Sequence, residues 1–137
     1  MNDIAGAMGV AQMEKLDSFL ERRCEVVRSY RDLLADCDEL ILPPEPDAGI
    51  EPSPYFFWIQ TEERDRLAHY LLEHGVYTTF RYWPLHKIPL FGQGDAHLPD
   101  AEDASRITLN LPLHPDLSSA DVEKIVGLVK RFGRQNL

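Results

Sequence analysis

Cysteine is scarce in this chain of 137 residues: Cys24 and Cys37 form no Cys-x-x-Cys pair and lie in or near one helical pattern. They read as reduced thiols of a cytosolic protein rather than as a disulfide framework. Positive charge is also short, with 14 Lys+Arg against 23 Asp+Glu and a formal charge of −9. Such a surface repels a nucleic-acid backbone and an anionic membrane alike, which argues against both as partners. No apolar run approaches the length needed to cross a bilayer. The opening residues, Met1 to Val10, have no basic leader and carry Asp3 inside their apolar run, so they do not read as a signal peptide. A phosphate-cradling glycine loop, a nucleophile elbow and a zinc signature are all missing. The five histidines, His69, His74, His86, His97 and His114, lack ligand spacing, and no metal site is expected.

What is present suits one domain with a single core. Asn2 and Asp3 can cap a helical segment through Ile4, Met8 and Ala11, in which Gly6 and Gly9 would allow another backbone close. From Met13 the apolar spacing tightens through Leu16, Leu20, Cys24, Val27 and Leu34, with Phe19, Val26, Tyr30 and Leu33 widening the stripe. That is an amphipathic helix to about Ala35, with a kink expected near Asp17-Ser18. Leu40-Ile41-Leu42 reads as a brief strand, followed by an extended connector with five prolines between Pro43 and Pro54. Tyr55 to Ile59 is a strand apolar on both faces. Thr61 caps a helix carrying Leu67, Ala68, Leu71 and Leu72, which Gly75 ends.

A second strand is expected over Val76 to Tyr82, and a loop over Gly92 to Asp100. Ala101 to Ser105 should make one helical turn. Arg106 to Pro112 alternates at period two and reads as a third strand, with Ile107, Leu109 and Leu111 on one face. Ser118-Ser119-Ala120-Asp121 caps a last helix whose stripe is Val122, Ile125, Val126, Val129 and Phe132, with Gly133 as its expected end. The order predicts an α+β fold: a small, mainly antiparallel sheet covered by helices, with a long N-terminal amphipathic helix.

Functional interest centres on Gly75 to Gly92. Pro84 stops the strand and restricts Trp83, and the loop behind it carries His86 and Lys87 between apolar residues. A cation, an imidazole and two rings, Arg81, His86, Tyr82 and Trp83, thus gather at one strand end, a common way to build a ligand site. The plainer reading keeps Tyr82 and Trp83 as half-buried core, with Arg81 and His86 solvating its rim.

The segment Met1 to Asp17 resembles the opening of the C-terminal part of pyridoxal-phosphate-dependent sugar aminotransferases of the DegT/StrS type. The likeness continues in order through Arg22-Arg23, Tyr30, Pro54 to Ile59, Gly75-Val76, Arg81-Tyr82-Trp83-Pro84-Leu85-His86 and Leu109-Asn110-Leu111-Pro112-Leu113-His114-Pro115. The resemblance implies the small domain of a fold type I aminotransferase, residues 1–137 forming that one domain. The family's large domain, which carries the catalytic lysine and the cofactor site, would lie outside the chain, which begins just after the family's Asn-x-Arg element. No catalytic, cofactor-binding or metal residue is then expected here, and no pyridoxal phosphate is expected on the chain alone. Of Lys15, Lys87, Lys124 and Lys130, none has the family context of the catalytic lysine.

In the intact enzyme the small domain would close one wall over a nucleotide sugar. Arg81 and His86 would orient the substrate, and Tyr82 and Trp83 would shape the pocket. Arg81 to His86 looks closest to members acting on 4-keto-6-deoxy sugars linked to a nucleoside diphosphate. The family's homodimers imply a second copy, or a complementing large domain, as partner. Two other readings stand beside this one: a non-catalytic association module using the Tyr55 to Ile59 and Val76 to Trp83 surfaces, and an inert gene remnant.

Overall fold

The structure, a computed structural model, describes residues 2–50, 52–80, 82–91 and 96–135. Asn2 opens the chain as expected, its Oδ1 accepting the Ala5 N–H at 2.9 Å at the head of helix α1, Asp3–Met13. The helix breaks at Glu14-Lys15, ahead of the kink expected at Asp17-Ser18. There Ser18 donates its hydroxyl to Lys15 O at 2.8 Å, inside the first turn of α2, Leu16–Leu34. Helix α2 buries Val26, Tyr30 and Leu34. By contrast α1 buries nothing, and Ile4, Met8, Val10 and Met13 stand exposed along it.

The sheet has two strands, β1 (Phe57–Gln60) and β2 (Thr108–Leu111), paired antiparallel. Phe57 opposite Leu111 and Ile59 opposite Leu109 face the core, while Trp58 opposite Asn110 and Gln60 opposite Thr108 take the other face. Each edge carries one further bridge, Ile41 to Gln60 outside β1 and Thr79 to Asn110 outside β2. The brief strand at Leu40 to Leu42 is therefore a single paired residue, after which Arg31 holds the connector by donating to Pro43 O and Pro44 O, each at 2.8 Å.

Among the described residues of the strand expected over Val76 to Tyr82, only Thr79 is paired. Thr79 and Asn110 exchange both backbone bonds, at 3.2 and 2.8 Å, and the next pair in that register would be Tyr77 with Pro112. Pro112 has no N–H to give, so the ladder does not run on from Thr79 toward Tyr77. Helix α4, Pro99–Ile107, is longer than the single turn expected, and it takes Arg106 and Ile107 from the predicted third strand. Pro99 sits in its first turn with Asp100 and Glu102, where a ring without N–H and negative charge both suit the helix start.

Helix α3, Arg64–Glu73, begins behind Thr61, whose Oγ1 accepts the Glu63 N–H at 3.3 Å. Gly75 follows it at φ +77°, the left-handed stop the sequence predicts. Helix α5, Ser119–Gln135, runs past Gly133. Ser118 and Asp121 cap it reciprocally, the Ser118 N–H reaching the Asp121 carboxylate and the Asp121 N–H reaching Ser118 Oγ, each at 3.1 Å. The core joins Val26, Tyr30 and Leu34 of α2 to Phe57 and Ile59, Leu67 and Leu71 of α3, Leu109 and Leu111, and Val122, Ile125, Val126 and Val129 of α5. Helices on a small antiparallel sheet are thus the observed class. Among the described residues no helix is long and apolar enough to cross a membrane.

Candidate functional site

Pro84 ends the extended segment, and Leu85–Lys87 turns into one 3₁₀ turn closed by Lys87 N–H to Pro84 O at 2.9 Å. This makes an arm, residues 82–91, whose apolar side chains are in large part exposed: Tyr82 and Trp83 are each 65% exposed, and Leu85, Leu90 and Phe91 are open as well. Tyr82 and Trp83 therefore do not belong to the core. They line a cavity of about 600 Å³ with Arg64, Phe80, Ser105 and Thr108. The Arg64 guanidinium lies 4.6 Å from the centre of the Phe80 ring and donates to Ser105 O at 3.3 Å. Tyr82 and Trp83 present aromatic faces that suit a ring, whereas Ser105 Oγ already donates to Glu102 O at 2.9 Å, Thr108 Oγ1 donates to Ala104 O at 2.6 Å, and Arg64 Nε is paired with Asp65 Oδ1 at 2.6 Å. Arg81 lies outside the described residues.

His86 sits apart from that cavity. Its side chain is only 10% exposed, and Nε2 lies 3.0 Å from Glu102 Oε1. The same carboxylate receives the Leu98 N–H at 3.0 Å, Lys87 Nζ at 3.2 Å and His97 Nδ1 at 3.3 Å. The Leu98 N–H above all, then His86, Lys87 and His97, lower the Glu102 carboxyl to about 2, against a partial desolvation that acts the other way. The residues grouped in the sequence thus separate in space: Tyr82 and Trp83 line the cavity, whereas His86 and Lys87 are held on α4.

A second cavity, of about 680 Å³, opens between β2, Gly75 to Thr79 and the start of α5. Arg23, Tyr77, Asn110, His114 and Lys124 are among its lining residues, and Arg23 spans to the connector, donating to Pro54 O at 3.1 Å and Tyr55 O at 3.2 Å. Asn110 is 3% exposed, and neither its Nδ2 nor its Oδ1 has a hydrogen-bond partner among the described residues.

An imine-forming lysine needs a desolvated, neutral amine and a positioned acid. Lys15 and Lys124 are exposed, Lys87 Nζ is paired with Glu102, and Lys130 Nζ lies 2.6 Å from Asp36. These residues do not fit a covalently held carbonyl cofactor. Among the described residues no group of three or more His, Cys, Asp or Glu side chains is placed to hold a metal ion. Sequence reasoning passed over Arg64, Glu102 and Asn110. Arg64 and Glu102 belong to no motif in the sequence, and Asn110 falls on the other face from Ile107, Leu109 and Leu111 in the alternating stretch.

Comparison with known proteins gives the chain's relatives. The chain is 46% identical over 126 residues to a dTDP-4-dehydro-2,3,6-trideoxy-D-glucose 4-aminotransferase of Saccharopolyspora spinosa, covering 90% of this chain and 32% of that protein. It is 27% identical to a GDP-perosamine synthase of Escherichia coli O157:H7, over 96% of this chain and 36% of the other. The solved aminotransferase TlmJ of Streptoalloteichus hindustanus superimposes with a TM-score of 0.92 at 42% identity, covering 99% of this chain and 37% of its own. The chain therefore spans about a third of the length of the relatives it matches. Residues 1–130 match the DegT/DnrJ/EryC1/StrS aminotransferase family, and the chain belongs to it.

Proposed function

We propose that this chain is the small, substrate-facing domain of a pyridoxal-phosphate-dependent nucleotide-sugar aminotransferase, and that it transfers no amine by itself. The observation that carries the reading is the match to sugar aminotransferases over nearly the whole chain and only a third of theirs, in a chain whose lysines are all exposed or ion-paired. Polypeptide outside these 137 residues supplies the lysine and the cofactor site, and the cofactor, when bound there, supplies the electron sink for moving an amine. The substrate class is a keto-deoxy sugar linked to a nucleoside diphosphate, as the name of the Saccharopolyspora relative suggests.

In this reading Tyr82 and Trp83 offer their faces to a sugar or base ring, and Arg64 supplies positive charge beside them. Arg81 and His86 keep the orienting role that the family resemblance implies. The apolar row Ile4, Met8, Val10 and Met13 suits burial against a second copy or the large domain.

The test is reconstitution. The chain alone, mixed with pyridoxal phosphate, should leave no borohydride-fixed adduct at any lysine and should transfer no amine to a dTDP-linked 4-keto sugar. Joined to, or co-expressed with, a family large domain it should restore transfer, and Arg81→Ala or His86→Ala should then raise KM or lower kcat. An adduct at one lysine that supports transfer would overturn the reading. Failure to associate with any large domain would leave the association module or the inert remnant.

A further inference from the structure

Among the described residues, every hydrogen bond or ion pair that ties the 82–91 arm to the rest of the chain ends on one carboxylate, that of Glu102. The other backbone bonds of the arm, Lys87 to Pro84, Ile88 to Leu85 and Phe91 to Ile88, are internal to it. Glu102 is itself fixed at two points in the first turn of α4: its N–H donates to Leu98 O and its Oε1 accepts the Leu98 N–H, each at 3.0 Å. A negative group there is also favoured by the helix dipole. The remaining capacity of that carboxylate goes to side chains arriving from the arm, His86 on Oε1 and Lys87 on Oε2, with exposed His97 beside them.

A carboxylate only accepts, so the nitrogen of His86 facing it, Nε2, must carry the proton. Nδ1 has no partner among the described residues. The arrangement is that of an imidazole whose working nitrogen is chosen by what holds the other one.

We propose that Glu102 is a positioning residue for the substrate-facing arm: it keeps the proton of His86 on Nε2, pins residues 82–91 to α4, and leaves Nδ1 as the ring nitrogen offered to a ligand. The proposal rests on reading the arm as substrate-facing, and the two are tested separately.

In the chain labelled with ¹⁵N-histidine, at about pH 8 and so above the ordinary histidine range, the His86 ring should show the Nε2–H form. Glu102→Ala should release it to mixed tautomers and speed amide exchange over residues 85–91 by about tenfold or more. Glu102→Gln, whose amide oxygen still accepts, should keep much of the Nε2–H form, and it also serves where the alanine variant folds poorly. In the reconstituted enzyme, His86→Ala and Glu102→Ala should each lower kcat/KM by about ten- to hundredfold, the range in which partners behind a ligating imidazole act. The double variant should be no worse than His86→Ala alone.

An Nδ1–H ring in the unmodified chain, or losses that multiply in the double variant, would overturn the proposal and leave the substrate-facing reading untouched. A His86→Ala enzyme with unchanged kinetics would instead sink that reading, and the positioning role with it, whatever the tautomer.

Discussion

Tyr30 lies in the core, and replacing it by phenylalanine isolates one hydroxyl. The ring is fully buried and stacked on Phe57 with centroids 5.0 Å apart, and its hydroxyl donates to Pro112 O at 3.0 Å. Tyr30→Phe keeps the stack and removes the donor, leaving a carbonyl beside the core without that bond. A lost neutral hydrogen bond with one partner left behind costs about 1–2 kcal/mol. With a urea dependence of about 1–3 kcal/mol per molar, the midpoint should fall by roughly half to one molar near neutral pH.

The same burial, with a lesser push from the Asp121 charge, holds the Tyr30 hydroxyl well above the ordinary tyrosine range. The folded state therefore keeps a proton that the unfolded chain gives up near pH 10. Stability is complete below that pH and declines above it, by at most about 1.4 kcal/mol per pH unit. Tyr30→Phe has no such proton, and the other four tyrosines are common to both proteins. The difference between the two should thus shrink above pH 10 and vanish about one unit higher. Urea unfolding at several pH values, followed by far-UV circular dichroism, measures it. A gap that stayed constant from about pH 8 to 11 would refute the argument that burial controls this hydroxyl.

The acid limb should behave in the opposite sense. The lowered carboxyl of Glu102 adds stability that is fully present above the ordinary glutamate value and lost as pH falls toward about 2, so Glu102→Gln should flatten unfolding curves over that window. Gly75 holds φ +77° with open space where a Cβ would go, so Gly75→Ala should cost about 1 kcal/mol from backbone strain alone, while Gly127→Ala inside α5 should gain about 0.5–1 kcal/mol in the same thermal melts. Ser118→Ala removes the acceptor for the Asp121 N–H and should lower stability by about 1 kcal/mol in urea titrations. Asn110→Leu replaces an unpartnered buried amide by an apolar group of similar size and should leave the isolated chain as stable or more so, whereas a loss above about 1 kcal/mol would show that the amide is satisfied in solution.

The helices were legible because their signals are local. The stripe of α2, the Ser118 and Asp121 cap of α5 and the glycine stop after α3 each need only residues within a few turns. Pairing did not extend from Thr79 back toward Val76 for a distant reason: β propensity was present, but the N–H needed to continue the ladder was absent at Pro112. Alternation in Arg106 to Pro112 could not reveal where α4 ends, since the helix stops within the pattern at Ile107. At the site, Tyr82 and Trp83 were readable as rings at a break. His86 could not be assigned its neighbour, because Glu102 lies sixteen positions further on and carries no mark in its own surroundings.

The single rungs on either side of the paired strands bear on how this protein behaves in concentrated solution. Outside β1 the partner of Gln60 is followed within three residues by Pro43 and Pro44, and outside β2 the register meets Pro112. Among the described residues neither border offers an incoming strand a long row of free amides, so fibre growth by template addition has little purchase there. Self-association should instead run through side-chain surfaces such as α1, which dissociate on dilution.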